Sequence, residues 1–191
     1  GELKGRLEDL AFQYVYPDEY AWTIKTAKTR LDEQLSYVKT LTKEINKLLE
    51  NNQIKPLYLQ GRAKHYYSLY KKLLRKDMDI NKVYDLVALR IVVPDVATCY
   101  QVMGLIHSEW KPLPGRIKDY IAQPKPNGYR SLHTTVFGAD GKIVEIQIRD
   151  TAMHELAEYG IAAHWHYKEG GKKKTVSAIP PEQLKWVTEL L

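Results

Sequence analysis

The chain has 191 residues, 44% of them hydrophobic, and a formal charge of +6 from 29 Lys+Arg against 23 Asp+Glu. This suits one domain with a packed core and helical attachments, and the modest positive balance favours anionic ligands without choosing between nucleotides, RNA and a membrane surface. The single cysteine, Cys99, excludes an internal disulfide and a thiolate metal cluster, and no apolar run approaches the ~20 residues of a membrane span.

Residues 7–16 read as a short helix ended near Pro17. From Asp18 to Glu50 the pattern is helical again, with Leu35, Val38, Leu41, Ile45, Leu48 and Leu49 in one apolar stripe that Asn51-Asn52 stops. Residues 53–59 read as an edge strand, because Pro56 cannot donate to a ladder. Gly61-Arg62-Ala63-Lys64 reads as a turn, and a helix follows over 65–75 with Tyr66, Tyr67, Leu69, Tyr70, Leu73 and Leu74 on its buried side. Val83 to Val93 is the clearest strand, apolar on both faces and therefore central. Asp95 can cap a helix that carries Val96, Cys99, Tyr100, Met103 and Ile106 and ends near Trp110. The stretch 111–130 has no periodicity, but its prolines and aromatics argue for an ordered, functional loop. Leu132–Phe137 and Lys142–Arg149 form a hairpin, and Asp150 can cap a helix reaching about Tyr167. A Gly/Lys linker over 168–174 and a last helix opened by Pro180-Pro181 complete a mixed α/β arrangement with one sheet.

Chemistry concentrates in a few places. Arg116, Lys118, Lys125, Asn127 and Tyr129 share the proline- and glycine-stiffened loop, and cations, an amide and an aromatic suit a ligand with phosphates and a flat ring. Glu145 alternates with Gln147 and Arg149, while Val144, Ile146 and Ile148 face a core. Taken alone, that polar face is the solvent side of a hairpin or the wall of a cleft. Asp85 stands at one end of an apolar strand, where a carboxylate needs solvent, a partner such as Arg90 or Lys82, or a metal. Asp85 and Glu145 together could hold Mg²⁺, which takes one or two carboxylates plus substrate phosphates. Arg62 and Lys64 precede a helix that carries Ser68, Lys71 and Lys72. This is either a basic solvated face or a phosphate grip at a helix N-terminus, though not a P-loop. His164 and His166 are two apart and face different sides, so no zinc site is expected there.

Five motifs stand in register: Gly61-Arg62-x-Lys64-x-x-Tyr67-Ser68, Tyr84-Asp85-Leu-Val-Ala-Leu-Arg90, Arg116-Ile-Lys-Asp119-Tyr120, Pro124-Lys-Pro-Asn-Gly-Tyr129-x-Ser-Leu-His133-Thr-Thr and Glu145-Ile-Gln-Ile-Arg149. Together they resemble the synthetase domain of the RelA/SpoT family, the stringent-response enzymes that make ppGpp and pppGpp. The resemblance implies a nucleotidyltransferase-like mixed sheet flanked by helices over 51–168. The helical stretch 1–50 is expected to pack on it, and 169–191 to form a linker and terminal helix. It implies transfer of the β,γ-pyrophosphate of ATP to the 3′-hydroxyl of GDP or GTP, with Mg²⁺, or Mn²⁺ in its place, as cofactor. By motif, Asp85 would hold the metal, and Glu145 would activate the hydroxyl and share the metal. Arg62, Lys64, Ser68, Lys72 and Arg90 would bind ATP, with Arg62 and Arg90 at the adenine. Lys118, Lys125, Asn127, Tyr129 and His133 would bind GDP or GTP, with Tyr129 stacked on the base. Arg116 and Asp119 resemble the version of their motif found in bifunctional synthetase/hydrolases, and Arg130 stands where the family commonly has Gln. The expected setting is cytoplasmic and without a membrane. No stable nucleic-acid partner is expected for this stretch, and ribosome or tRNA contacts would be made by other regions of a longer enzyme. The competing reading is a catalytically inactive nucleotide sensor, or an RNA-binding module, of the same fold.

Overall fold

A computed structural model describes residues 2–83, 86–138 and 141–159. Helix α1 (Glu2–Val15) meets α2 (Pro17–Asn51) at Pro17, whose fixed φ suits the first turn of a helix. Strand β1 (Tyr58–Ala63), α3 (Tyr66–Leu74), a 3₁₀ turn (Ile80–Lys82), β2 (Val87–Val93) and α4 (Val96–Glu109) follow. The chain continues through β3 (Lys118–Asp119), β4 (Leu132–Phe137), β5 (Ile143–Asp150) and α5 (Thr151–Tyr159). The expected linker over 168–174, the segment opened by Pro180-Pro181, His164 and His166 lie outside the described residues.

The five strands form one sheet in the order β1-β2-β5-β4-β3. Only the β2–β5 pair is parallel. Leu89, Ile91, Val93, Ile146, Ile148, Leu132 and Val136 are buried on one face. Helices α2 and α4 cover that face with Val38, Leu41, Ile45 and Leu49 from the first and Cys99, Val102 and Ile106 from the second. The expected stripe on α2 is therefore the core stripe, except that its first member, Leu35, is 38% exposed. Leu74, expected on the buried side of α3, is 55% exposed at the end of that helix.

Two strand boundaries differ from expectation. The edge strand begins at Tyr58, beyond Pro56, and runs through Gly61-Arg62-Ala63 instead of turning there. Gly61 pairs with Leu89, and a Cβ on it would sit 2.7 Å from Val38 Cγ1, so the glycine serves the close approach of α2 and not a turn. Strand β2 begins at Val87, not Val83, because Asp79 accepts from the Asn81 N–H and winds the preceding residues into the 3₁₀ turn. Asp95 caps α4 as expected, accepting from the Thr98 N–H at 2.8 Å, and Asp150 likewise accepts from the Met153 N–H in α5.

The stretch 111–130 is ordered against β4. Leu113 donates its N–H to Thr135 O at 2.8 Å, Lys118 pairs with His133, and the Tyr120 N–H reaches Ser131 O at 2.9 Å. Asp119 anchors it. One carboxylate oxygen accepts from the Ile121 and Ala122 N–H groups at 2.9 and 2.8 Å, and the other accepts from the Tyr100 hydroxyl at 2.9 Å.

Candidate functional site

Register places the candidate residues on the sheet face opposite α2 and α4. Directly opposed residues share a face. Lys118, His133, Gln147, Arg90 and Gln60 therefore cross all five strands in one line. Thr135, Glu145, Ala88 and Arg62 form the next line. The sheet thus brings five expected site residues, one from each strand (Arg62, Arg90, Lys118, His133 and Glu145), onto one polar surface. The alternation that seats Val144, Ile146 and Ile148 in the core turns Glu145, Gln147 and Arg149 the other way. Arg149 is 1% exposed and Glu145 and Gln147 are half-buried, so this surface is not the open side of a hairpin.

Glu145 lies on the central strand of this surface. Gln147 Nε2 donates to its Oε1 at 2.8 Å, and His133 Nδ1 faces the same oxygen at 3.5 Å. His133 is pushed down to about 4 by burial, against the pull of the Glu145 carboxylate and helped by Lys125, Arg149 and Lys118. It is neutral at pH 7. A carboxylate only accepts, so the tautomer that suits the site carries hydrogen on Nδ1. Nε2 then accepts from the Tyr129 hydroxyl at 2.9 Å, and that hydroxyl accepts from Ser131 Oγ at 3.0 Å. Hydrogen bonds run from buried Ser131 through the Tyr129 hydroxyl to His133 Nε2, and His133 Nδ1 then faces Glu145 Oε1 across 3.5 Å.

The Tyr129 ring is set by a tight turn. Gly128 has φ +75°, a region that favours glycine, and its N–H reaches Lys125 O at 2.8 Å. Asn127 Oδ1 accepts from the Tyr129 N–H at 3.2 Å. Tyr120 meets Tyr129 and His133 edge-on at 6.1 and 5.3 Å, and Lys125 Nζ sits 4.5 Å from the Tyr120 centroid and 5.2 Å from that of Tyr129. This half of the site is an aromatic corner with Lys118, Lys125 and Asn127 at its edge. Arg116 is exposed on the same loop beside Gly115.

The other half gathers Arg62 on β1 and Lys64, Ser68 and Lys72, half-buried along and before α3. The N-terminus of α3, expected to bind phosphate, receives a carboxylate from this chain. Asp9 Oδ1 of α1 accepts from the Tyr67 N–H at 2.9 Å, and its Oδ2 lies 3.0 Å from His65 Nδ1. His65 Nε2 meets Arg62 NH2 at 3.2 Å, and since guanidinium only donates, the imidazole accepts there. Arg90 pairs at 2.8 Å with Glu158 of α5, and Lys82 pairs at 2.8 Å with Asp77. Asp85 lies outside the described residues.

Asp9, His65 and Glu158 carry no sequence signal of their own, and Tyr120 and Ser131 stand in the motifs without a role assigned to them. Arg149 had one, since it shares the alternation of Glu145 and Gln147. Among the described residues no three His, Cys, Asp or Glu side chains cluster as a metal site. A single accessible carboxylate such as Glu145 fits Mg²⁺, which completes its shell from water and substrate phosphates. No helix among the described residues is long and apolar enough to cross a membrane.

A family model described as the region found in RelA / SpoT proteins matches residues 61–172. The chain is 43% identical over 189 residues to a GTP pyrophosphokinase of Myxococcus xanthus, covering 99% of this chain and 24% of that protein. It is 41% identical over 193 residues to the bifunctional (p)ppGpp synthase/hydrolase RelA of Mycobacterium tuberculosis, covering 99% and 26%. The chain thus spans about a quarter of the length of these curated relatives. Among solved structures it resembles the small alarmone synthetase 1 of Bacillus subtilis bound to its product pppGpp. That match has a TM-score of 0.52 and 27% identity, and covers 75% of this chain and 80% of that one.

Proposed function

The chain belongs to the RelA/SpoT family, and from that premise we propose that it transfers the β,γ-pyrophosphate of ATP to the 3′-hydroxyl of GDP or GTP, making ppGpp or pppGpp and AMP. The observation that carries the reading is the position of Glu145. It stands mid-sheet, with the Tyr129 corner on the β4 side and Arg62 and Arg90 on the β1–β2 side. The relatives' names and the pppGpp bound to the Bacillus subtilis enzyme support the same reaction.

In this reading the guanine nucleotide lies against Tyr129, with Lys118, Lys125, Asn127 and His133 around it. Arg62, Lys64, Ser68, Lys72 and Arg90 bind ATP. Arg116 and Asp119 set the loop that selects the acceptor, and Asp119 does so through its backbone hydrogen bonds. Gln147 and neutral His133 both address Oε1 of Glu145, which leaves Oε2 to take the proton from the attacking 3′-hydroxyl. Asp85 and Glu145 would hold Mg²⁺, which supplies charge neutralisation at the transferring phosphates. The transferred group is highly anionic, so positioning and positive charge carry most of the rate. The synthetase core is 51–168 with 1–50 as its helical extension, and the setting is the cytoplasm, where both nucleotides are found.

The test is turnover of ATP with GDP and Mg²⁺, with separation of products. Alarmone and AMP in equal amounts are expected. Glu145→Gln should lose about 10²-fold or more in kcat while GDP affinity stays within a few-fold. Absence of both products from the wild-type chain would leave the inactive-sensor reading in its place.

A further inference from the structure

A relay that starts outside the sheet reaches Arg62. Asp9 of α1 spends both carboxylate oxygens on the start of α3. Its Oδ1 accepts from the Tyr67 N–H at 2.9 Å, and its Oδ2 lies 3.0 Å from His65 Nδ1. His65 stands at the N-cap of α3 but makes no cap bond with its own side chain, so Asp9 supplies the cap and the imidazole turns to Arg62. A carboxylate only accepts, so Nδ1 carries the hydrogen and Nε2 accepts from Arg62 NH2 at 3.2 Å. In the other tautomer an N–H would face a guanidinium that only donates. Helix α1 also fixes the ring sterically, since a Cβ on Gly5 would overlap the imidazole. The helix itself is tied to α3. Phe12, 2% exposed, stacks on Tyr70 at 5.1 Å and meets Tyr67 at 5.3 Å, and Glu8 lies 3.6 Å from Lys71 Nζ. The side chains of His65 and Asp9 are 17% and 22% exposed, so the relay lies largely out of water.

We propose that Asp9 and His65 are positioning residues for the ATP half of the site. Asp9 fixes the tautomer and the orientation of the imidazole, and the imidazole holds the Arg62 guanidinium where the nucleotide meets it. Neither residue touches substrate. The identity of the nucleotide rests on the reading given above; the relay itself does not. An arginine side chain carries about 2 kcal/mol of rotamer entropy, and fixing it before the nucleotide arrives removes part of that cost from binding. The effect belongs to one half of the site. Arg62 is on β1 at one edge of the sheet, while the Tyr129 corner lies against β3 and β4 at the other. Helix α1 therefore contributes to ATP binding and not to binding of the guanine nucleotide.

ATP and GDP, titrated calorimetrically and separately into the full chain, test this. Asp9→Asn is the most telling variant. Its Oδ1 still caps Tyr67, but its amide donates to His65 Nδ1 and reverses the tautomer, so an Nε2–H opposes Arg62. ATP should bind about tenfold weaker, with GDP affinity unchanged. His65→Phe, which keeps a ring and loses the acceptor, should lose as much. Asp9→Asn should add little in that background, because no imidazole is left to turn. His65→Gln, whose Oε1 can accept from Arg62, should recover most of the affinity. In turnover the same variants should raise KM for ATP and leave KM for GDP as it was. A merely structural role predicts that the variants weaken ATP and GDP together, or lower the melting temperature alone. Either result overturns the proposal, as does full additivity of Asp9→Asn and His65→Phe. If His65→Phe does not fold, Asp9→Asn decides by itself. A chain that shows the expected ATP pattern yet makes no alarmone keeps the relay and loses the synthetase reading. An active chain whose ATP affinity ignores both residues does the reverse, and a chain that binds no ATP overturns both.

Discussion

Tyr129 is restrained at both ends. Its hydroxyl bridges Ser131 and His133, and its backbone N–H is taken by Asn127. A ring fixed in this way stacks on a base at little further entropic cost. Tyr129→Ala should weaken GDP binding by about tenfold or more, the range of one base–aromatic stack. Tyr129→Phe should keep most of that affinity, and fluorescence titration of a labelled GDP separates the two. His133 yields a prediction in pH. The unfolded imidazole titrates near 6.5, while burial, opposed by Glu145 and aided by nearby cations, lowers the folded one to about 4. Between these values the unfolded state binds a proton that the folded state refuses. Stability is therefore lost as pH falls through that window, by up to about 1.4 kcal/mol per unit. His133→Gln should flatten this part of the Tm–pH curve, and parallel curves for variant and wild type would contradict it. Motif spacing made Tyr129, His133 and Glu145 legible before any coordinates. The contacts with Tyr129 and Glu145 that set the tautomer of His133 were not legible, because they join residues through side-chain rotation and strand register.

At the scale of elements, the boundary at Gly61 teaches most. Read locally, a glycine followed by Arg-Ala-Lys signals a turn. The structure makes it a strand position, because α2 lies so close that Val38 Cγ1 occupies the place of a Cβ. Tertiary packing overrode a local signal. Gly61→Ala should cost about 1–3 kcal/mol in urea unfolding, since valine is stiff at χ1 and cannot swing aside. Val38→Ala should recover part of that loss in the double variant, and a coupling energy near zero would refute the close contact. Helix α1 shows the same limit. A short helix over 7–16 was visible, but its task was not. Gly5 lets it approach so closely that a Cβ would fall 2.3 Å from His65 Cδ2, and this brings Asp9 to the start of α3.

For the whole molecule, the helical extension and the sheet share one core. Val38, Leu41, Ile45 and Leu49 of α2 are all buried against β1, β2, α3 and α4. A chain beginning at residue 51 would expose Leu69, Leu73 and Leu89 together. It should show neither a cooperative thermal transition nor native near-ultraviolet dichroism, and a sharp melt would show that α2 is dispensable. The two-residue β3 carried no periodic signal, but fold class and the interior place of β2 followed from periodicity and β-branched content. The strand order did not, because it depends on pairings between residues far apart in the chain.

Strands β2 and β5 are neighbours and parallel, so α4, the loop after it and the whole of β4 must be in place between them. Arg90 and Glu145 can therefore meet only after a long stretch of chain has closed on itself. During synthesis on the ribosome, a polypeptide that has not yet reached β5 carries Arg62 and Arg90 but has neither Glu145 nor Arg149. On the proposed function such a half-made copy would not consume nucleotides, and competence would arrive only once β5 has paired into the middle of the sheet.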